Sequence, residues 1–406
     1  MPMLGLGCNP IAVDSPIILG LTMQQSWAQY SPYYPAAKYQ APPPDCNVVQ
    51  LQRHGARYPT KSAGKAMKKS VKRLKSAKSF LDASLDFVVN YTYALGTDDL
   101  VPFGAAQSFE AGQLHYGRYA SLVNEDMLPF VRASESNRVV DSALNWTACN
   151  QQYTPILSVI VGQSSNDTLD DHQCPNIGTS DDQTKTWLDV FAPEIRDRLN
   201  HYAPGADLKK KDVENLMSLC PFETVAYEQI SPWCALFTEE EWASYEYHGD
   251  LYDYYGNGYG QRLGPVQGVG YVNELLARLT GRPVQDNTQT NHTLDSSPVT
   301  FPLDRTFYAD FSHDNQMISI YSALGLFIQP HLLDLTHPNP MRTWVDSKLV
   351  PFSARMTTEK LECTISGEKG EYVRILVNDA LQPLPFCGSQ QYAKTNGAGD
   401  WELCFD

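Results

Sequence analysis

Residues 48–60 read VVQLQRHGARYPT, and they join a short apolar segment to a loop that carries two arginines and a histidine. Residues 48–52 have the composition of a β-strand, and Gly55 and Pro59 favour a turn directly after it. Ligands of open α/β sheets bind at the carboxyl ends of the strands. The stretch therefore predicts an α/β sheet with a ligand site where its first strand ends.

This loop has the side chains that a phosphate site needs. Arg53 and Arg57 can each present a planar fork of donors to a tetrahedral oxyanion, and Gly55 allows the backbone to approach a ligand closely. His54 lies between them as a candidate nucleophile. A histidine flanked by arginines also occurs in ordinary surface loops, so the hypothesis requires a second half of the site elsewhere in the chain.

Two further strand ends carry polar residues of the same kind. Residues 128–134 form an apolar run that contains Arg132 and precedes a helical segment, and residues 306–311 lead into His313 and Asp314 and then a helix. Each feature has a simpler interpretation, because Arg132 could form a surface ion pair and Asp314 or Asn315 could cap the helix. Arginine, histidine and aspartate at three strand ends nevertheless favour one composite site.

Composition limits the classes of partner. The formal net charge of −15 and the pI of about 5.0 argue against nucleic acid, which requires a basic surface. No apolar run approaches the roughly 20 residues of a membrane span, so no membrane partner is expected. Residues 61–80, in contrast, contain seven lysines and one arginine without an acidic residue. Such a helix is usually a solvated face, but beside a phosphate loop it could attract a polyanion.

The nine cysteines are scattered and form no C-x-x-C pair, which argues against zinc ligation. Together with four N-x-S/T acceptor patterns they favour an oxidising, extracellular destination. The glycosylation candidates are Asn90, Asn145, Asn166 and Asn291. No basic segment precedes an apolar stretch near residue 1, so a secretory signal peptide is not evident in the sequence.

The combined motifs resemble those of the histidine acid phosphatases, a branch of the histidine phosphatase superfamily that includes secreted fungal phytases. The resemblance rests on residues 53–60 together with His313-Asp314, and it extends through residues 264–271, 291–296 and 306–326. It covers nearly all of the chain after residue 45. Within the family, the chain is most similar to the secreted fungal phytases, those of basidiomycetes in particular.

The resemblance implies a phosphomonoesterase that acts at acidic pH on a small polyphosphorylated molecule, phytate, through a phosphohistidine. His54 would be the nucleophile, and a protonated Asp314 would donate a proton to the leaving alcohol, without a cofactor or metal. The implied substrate ligands are Arg53, Arg57, Thr60, Arg132 and His313. Fixed arginines suit this role because the charge of the transition state spreads over the phosphoryl oxygens.

The resemblance also implies a phosphoglycerate-mutase-like α/β domain, with a central mixed sheet flanked by helices, and a smaller inserted all-α domain. The expected catalytic domain comprises residues 46–60, 128–163 and 266–406, and the expected insertion comprises residues 61–127 and 164–265. Residues 1–45 are expected to form an extended arm over the surface. The implied disulfide bonds join Cys46 with Cys363, Cys174 with Cys404, and Cys220 with Cys234, which leaves Cys8, Cys149 and Cys387.

One departure from the family pattern bears on the substrate. Ascomycete phytases carry a Lys-Lys pair before Tyr-Tyr-Gly, whereas this chain has Tyr252-Asp253. Because two substrate-facing charges are missing, a broad-specificity acid phosphatase is an alternative to a phytase. A non-catalytic, polyanion-binding glycoprotein on the same fold is the alternative from another functional class.

Overall fold

The computed structural model describes residues 21–41, 46–149, 157–170, 174–365, 368–384 and 404–405. Within these ranges, eight strands form one sheet. The strands are β1 (Cys46–Arg53), β2 (Phe130–Ser134), β3 (Val159–Val161), β4 (Phe307–Ser312), β5 (Arg355–Ile365), β6 (Glu368–Val377), β7 (Ala380–Leu381) and β8 (Cys404–Phe405). Their order is β3-β2-β4-β1-β5-β6-β7, and β8 also pairs with β6.

The sheet is mixed, as the family resemblance implies. Strands β3, β2, β4 and β1 are parallel to one another, and β5 begins an antiparallel part that continues through β6. The helices are α1 (Leu21–Gln24), α2 (Lys61–Leu74), α3 (Asp86–Asn90), α4 (Pro102–Tyr119), α5 (Asn137–Thr147), α6 (Asp181–Tyr202), α7 (Lys210–Tyr227), α8 (Glu239–Gly256), α9 (Gly264–Thr280), α10 (His292–Asp295), α11 (Asp314–Ala323) and α12 (Asp346–Leu349).

Helices cover both faces of the parallel part of the sheet. Strands β2 and β4 are buried at every position, which is the usual state of parallel strands between helical layers. Side chains of β1 alternate between the two layers: Val48 packs with residues of α4 and α5, and Val49 and Leu51 pack with residues of α9 and α11. This alternation fixes the register of the strand that leads into the loop at His54.

The carboxyl ends of β1, β2 and β4 lie side by side. Arg53, the last residue of β1, pairs with Ser312, the last residue of β4. Ala133 of β2 pairs with Phe311 of β4. The three strand ends singled out in the sequence therefore meet at one edge of the sheet.

A separate hydrophobic cluster joins α2, α6 and α7 and contains the disulfide bond between Cys220 and Cys234. The side chains of Cys46, Cys363 and Cys404 lie outside the described part of the structure, so the other two implied pairings stay predictions.

Helix α4 shares its core with the sheet through Ala111 and Tyr119. The domain boundaries given above remain a prediction.

The N-terminal arm differs from the expectation. Trp27 and Ser31 are both fully buried, and the Trp27 ring lies 6.3 Å from that of Trp242. Phe352 donates its backbone N–H to the carbonyl oxygen of Ser31 at 2.9 Å. Large aromatic side chains gain most from burial, and this gain outweighs the extended character that the prolines and tyrosines suggest. Residues 27–31 are thus an interior element rather than an arm over the surface.

The acceptor asparagines Asn90, Asn145, Asn166 and Asn291 all have at least partly exposed side chains. Asn291 also caps the short helix α10 by accepting from the backbone of Thr293. Among the described residues, no helix has both the length and the apolar character needed to cross a membrane.

Candidate active site

His54 lies at the end of β1 and is fully buried. Its Nδ1 is 2.8 Å from the carbonyl oxygen of Gly55, which can only accept, so Nδ1 carries the proton and the lone pair is on Nε2. Within the described residues, Nε2 has no hydrogen-bond partner. Burial first, and then Arg53, Arg138 and Arg57, hold the pKa of His54 well below its usual value of 6.5. The imidazole is therefore neutral and nucleophilic even in acid.

The loop after His54 is held by close packing against α4 and α5. A Cβ atom on Gly55 would lie 2.1 Å from the carbonyl oxygen of Gly104, so only glycine fits at position 55. Gly55 donates its N–H to Ser142 Oγ at 3.0 Å, and Ala56 donates its N–H to Gln107 Oε1 at 3.0 Å. These contacts fix the backbone of the loop before any ligand arrives.

Arg53 is fully buried and is oriented by three oxygen atoms. Its Nη1 donates to the carbonyl oxygens of Gln29 and Val350, and its Nη2 lies 2.6 Å from Asp314 Oδ2. The guanidinium carbon also lies 4.7 Å from the centre of the Phe352 ring. Arg53 therefore has one defined orientation, beside His54 and against the predicted acid.

Two further arginines surround the imidazole. Arg57 is only 8% exposed and donates through Nη1 to the carbonyl oxygen of Tyr58 at 3.0 Å. Arg138, in the first turn of α5, lies with Nη2 3.3 Å from His313 Nδ1. Burial and the neighbouring Arg57 lower the pKa of Arg138 from its usual value, which shows how closely the positive charges are placed. An acidic protein thus has a locally positive site.

His313 and Asp314 enter the site at the start of α11. The His313 ring lies edge-on to His54 with the ring centres 5.7 Å apart, and its Nε2 is 3.4 Å from Ser134 Oγ. Burial and Arg138 lower the pKa of His313 to about 4, while Asp170 and Asp314 oppose that shift. The second half of the site is therefore where the sequence places it.

The groups around Asp314 favour its ionised form. Burial raises the pKa of its carboxyl group, but Arg53, Arg57, His313 and Arg138 together lower it below its usual value. The mechanism implied by the resemblance requires a protonated carboxyl group when the leaving group departs. Asp314 becomes protonated only if a bound phosphate pairs with the arginines, because they then no longer stabilise the carboxylate.

Arg132 is not part of the site. It is 3% exposed, and its Nε lies 2.9 Å from Asp310 Oδ1 while its Nη2 lies 2.7 Å from Glu274 Oε2. Its side chain is committed to this buried ion-pair network between β2, β4 and α9. The structure therefore replaces Arg132 with Arg138 in the predicted set of phosphate ligands. The available signal was the position of Arg138 in the first turn of the helix after β2, since helix N-termini favour anions.

Thr60 stabilises the start of α2. It is the N-terminal cap of α2, and its Oγ1 accepts from the backbone N–H of Ala63 at 3.3 Å. A contact between Thr60 and substrate stays a prediction. Helix α2 follows directly and presents exposed lysines, namely Lys61, Lys65, Lys68, Lys69 and Lys72.

A model of the histidine phosphatase superfamily (branch 2) matches residues 47–378 of the chain. Phytase A of Aspergillus oryzae is 39% identical over 93% of this chain and 90% of that protein. Phytase A of Emericella nidulans is 40% identical over 93% of this chain and 90% of that protein. The similarity thus extends over nearly the whole length of these enzymes.

Solved structures with low identity share the fold. A phytase from D. castellii superposes with a TM-score of 0.71 at 21% identity, over 95% of this chain and 86% of that chain. A Bifidobacterium longum multiple inositol polyphosphate phosphatase, in complex with inositol hexasulfate, superposes with a TM-score of 0.58 at 15% identity, over 88% of this chain and 92% of that chain. The mixed sheet with its helical layers is common to these proteins.

Proposed function

The chain belongs to branch 2 of the histidine phosphatase superfamily, and we propose that it hydrolyses the phosphomonoesters of phytate, myo-inositol hexakisphosphate, at acidic pH. The observation that carries the proposal is the imidazole of His54. Its Nδ1 is fixed on Gly55, its Nε2 lacks a partner among the described residues, and three arginines surround it.

In the first step, the Nε2 lone pair of His54 attacks phosphorus, so that an N–P bond forms while the bond to the leaving oxygen breaks. Arg53, Arg57 and Arg138 hold the phosphoryl oxygens and stabilise the charge that spreads over them in the transition state. His313 contributes an N–H from Nε2. The two-step route avoids a direct attack of water on an anionic ester.

Asp314 supplies the proton for the departing oxygen. A bound phosphate competes for the arginines that keep the carboxylate ionised, and its own negative charge raises the pKa of Asp314 further. The proton passes to the leaving oxygen, because an inositol alkoxide is a poor leaving group. In the second step the Asp314 carboxylate takes a proton from water, which attacks phosphorus, breaks the N–P bond and frees phosphate and His54.

Support for phytate as the substrate comes from the relatives named phytase A and from the lysines of α2. A polyphosphate bound at His54 extends beyond the buried site, and exposed lysines that start directly after the loop can neutralise its outer groups. A broad acid phosphatase is the second candidate. It is favoured by Asp253, a buried carboxyl group that supplies no positive charge where ascomycete phytases have lysine.

The test is phosphate release from phytate and from an activated aryl phosphate at about pH 5. We expect a kcat/KM for phytate at least equal to that for the aryl ester, and loss of both activities in His54→Ala. Efficient turnover of the aryl ester with little of phytate would favour the broad phosphatase. Turnover of neither, with tight binding of phytate, would overturn the enzyme assignment in favour of a polyanion-binding protein.

Secretion and glycosylation belong to the same proposal. They rest on the four partly exposed acceptor asparagines and the buried disulfide bond between Cys220 and Cys234. We expect protein recovered from culture medium to lose mass on treatment with an N-glycosidase. Retention of an unglycosylated protein inside the cell would contradict this part of the proposal.

A further inference from the structure

A cluster of four buried carboxyl groups lies behind the active site. Glu246, Asp250 and Asp253 share one face of α8, at the i, i+4 and i+7 positions, and Asp346 opens α12 against them. Glu246 is 4% exposed, and the other three side chains belong to residues that are 0% exposed. We call these four residues the carboxyl cluster.

Few hydrogen-bond donors reach the carboxyl cluster. Glu246 accepts from the backbone N–H groups of Ala28 at 2.6 Å and of Ser347 at 2.9 Å. Asp250 accepts from the backbone N–H of Asp346 at 2.7 Å and from Arg342 Nε at 2.6 Å. Two of the four carboxyl groups thereby have donors from the protein.

The remaining two carboxyl groups face each other. Asp253 and Asp346 act electrostatically on each other, and none of their four buried carboxyl oxygens has a hydrogen-bond donor among the described residues. An ionised carboxylate that is buried without a donor is strongly disfavoured, whereas the protonated group is neutral. Burial without donors therefore favours bound protons on this pair.

Positive charge near the carboxyl cluster is insufficient for four carboxylates. Arg342 contacts Asp250 directly, and Lys348 is exposed near it. Arg53 faces Asp253 from the other side, but it is paired with Asp314, itself an anion. The other titratable groups that face the cluster are the tyrosines Tyr34, Tyr245 and Tyr247, which add no cation. Among the described residues, no His, Cys, Asp or Glu group is arranged to hold a metal ion.

The carboxyl cluster holds the two chain segments that orient Arg53. Glu246 binds the backbone at Ala28 and Ser347, and Gln29 and Val350, a few residues further along each segment, give their carbonyl oxygens to Arg53 Nη1. Glu246 and the four backbone positions that it connects to Arg53 are all buried. A change of charge in the cluster therefore reaches the guanidinium beside His54 through two backbone segments.

We propose that the carboxyl cluster holds protons in the folded protein and is a proton-dependent support for Arg53, which stays intact in acid and weakens as the cluster ionises. Added negative charge in the cluster repels the existing charges and loosens the segments at residues 28–29 and 346–350. Arg53 then loses its two carbonyl partners. The consequence for catalysis rests on the proposed function, whereas the consequence for folding stability does not.

The direction of the proton affinities agrees with the geometry. Burial, followed by Asp250, raises the pKa of Glu246 to about 8, burial raises that of Asp250 to about 6, and burial raises that of Asp253 to about 7. Burial and Asp253 raise the pKa of Asp346 well above its usual value. Because the folded state binds these protons more tightly than the unfolded state, their stabilisation is complete below about pH 4, decreases progressively above it, and is gone once the pH has passed the folded pKa values of about 6 to 8.

Thermal unfolding at a series of pH values tests the proposal. We expect the Tm of the wild-type protein to fall by several degrees between about pH 5 and 7.5, and Asp253→Asn and Asp346→Asn to flatten this fall. The matched control is Asp304→Asn, which makes the same chemical change at a side chain that is 80% exposed and should leave the slope as in wild type. A wild-type Tm that is constant or rises over this range, or cluster variants with the wild-type slope, would overturn the proposal.

Activity gives the second measurement. The alkaline limit of kcat/KM should move upward by roughly half a pH unit or more in Asp253→Asn, and stay in place in Asp304→Asn. An unchanged limit in Asp253→Asn would contradict the link to Arg53. If the wild-type protein releases no phosphate from any phosphomonoester, the proposed function fails, and the dependence of Tm on pH still decides whether the cluster holds protons.

A measurement on the wild-type protein alone covers the case in which the variants do not fold. Calorimetric unfolding near pH 5.5 in buffers of different ionisation enthalpy gives the number of protons released. We expect release of on the order of one to three protons per molecule. Proton uptake, or no exchange, would overturn the proposal.

Discussion

Arg138 Nη2 lies 3.3 Å from His313 Nδ1, although the two residues are 175 positions apart in the chain. An arginine N–H can only donate, so Nδ1 of His313 accepts and its proton is on Nε2. Arg138 therefore does two things at once: it brings positive charge to the site and sets the tautomer of the histidine beside it.

The first prediction concerns Arg138. Removing its guanidinium in Arg138→Ala should lower kcat/KM by about 10²- to 10³-fold, since a fixed group that stabilises transition-state charge is typically worth that much. Tm should change little, because the side chain is partly exposed and has few partners. Steady-state kinetics at acidic pH with thermal unfolding would check both values. A variant with nearly wild-type kcat/KM would remove Arg138 from the site.

Arg132 is expected to behave in the opposite way. Arg132→Ala leaves the buried Glu274 without its paired positive charge and removes one of the two arginines that pair with Asp310, which should cost about 3 kcal/mol or more of unfolding free energy. Activity per folded molecule should be nearly unchanged. Denaturant unfolding measures the first quantity and active-site-normalised kinetics the second. A stable but inactive Arg132→Ala would restore Arg132 as a ligand of phosphate.

Asp314 gives a prediction that depends on the substrate. Asp314→Asn cannot protonate a leaving oxygen, so its kcat should fall far more on phytate, with a poor leaving group, than on an activated aryl phosphate. Loss of the Arg53 partner is the same for both substrates and is cancelled by comparing them. Equal losses on the two substrates would indicate that Asp314 acts only by orienting Arg53.

The pH dependence of activity follows from His54. Because burial and the arginines hold its pKa well below 6.5, the nucleophile stays unprotonated as the pH falls through that value. We expect the rate of histidine phosphorylation to persist with no loss centred near pH 6.5, as measured by pre-steady-state release of the alcohol. An acid limb at an ordinary histidine pKa would contradict the neutral, buried imidazole.

Glycines of the loop and of α4 provide a steric test. Gly55→Ala places a Cβ 2.1 Å from the carbonyl oxygen of Gly104 and should abolish activity by displacing His54. Gly117→Ala is the matched control, because no atom lies within 4 Å of its new methyl group. At this exposed helical position alanine should stabilise the fold by about 0.5–1 kcal/mol without affecting kcat.

The sequence predicts most of the site, and the exceptions have specific causes. Residues 53–58 and the pair His313-Asp314 follow directly after two segments, 48–52 and 306–311, whose composition predicts strands. Arg132 was misplaced because proximity to a strand end does not decide which way a side chain points. The pleat turns it towards Glu274 and Asp310, and the next turn of chain brings Arg138 to the site.

Two other features could not be read from local pattern. Residues 27–31 lie among tyrosines and prolines that suggest an exposed segment, whereas contacts with residues far along the chain, Trp242 and Phe352 among them, bury them. The acids of α8 stand among aromatic residues with a spacing that marks one helical face. That spacing indicates a shared surface. It does not show that the surface is buried, because the burial depends on Asp346 and residues 27–29, which pack against it.

The two backbone carbonyl groups that bind Arg53 have a consequence for biosynthesis. One carbonyl comes from Gln29, among the first parts of the described chain to be synthesised, and the other from Val350, among the last. A ribosome-bound chain that ends before residue 350 already contains His54, His313 and Asp314 but cannot fix Arg53 between them. Full catalytic competence is therefore gained only after residue 350 has emerged and the two distant segments have met.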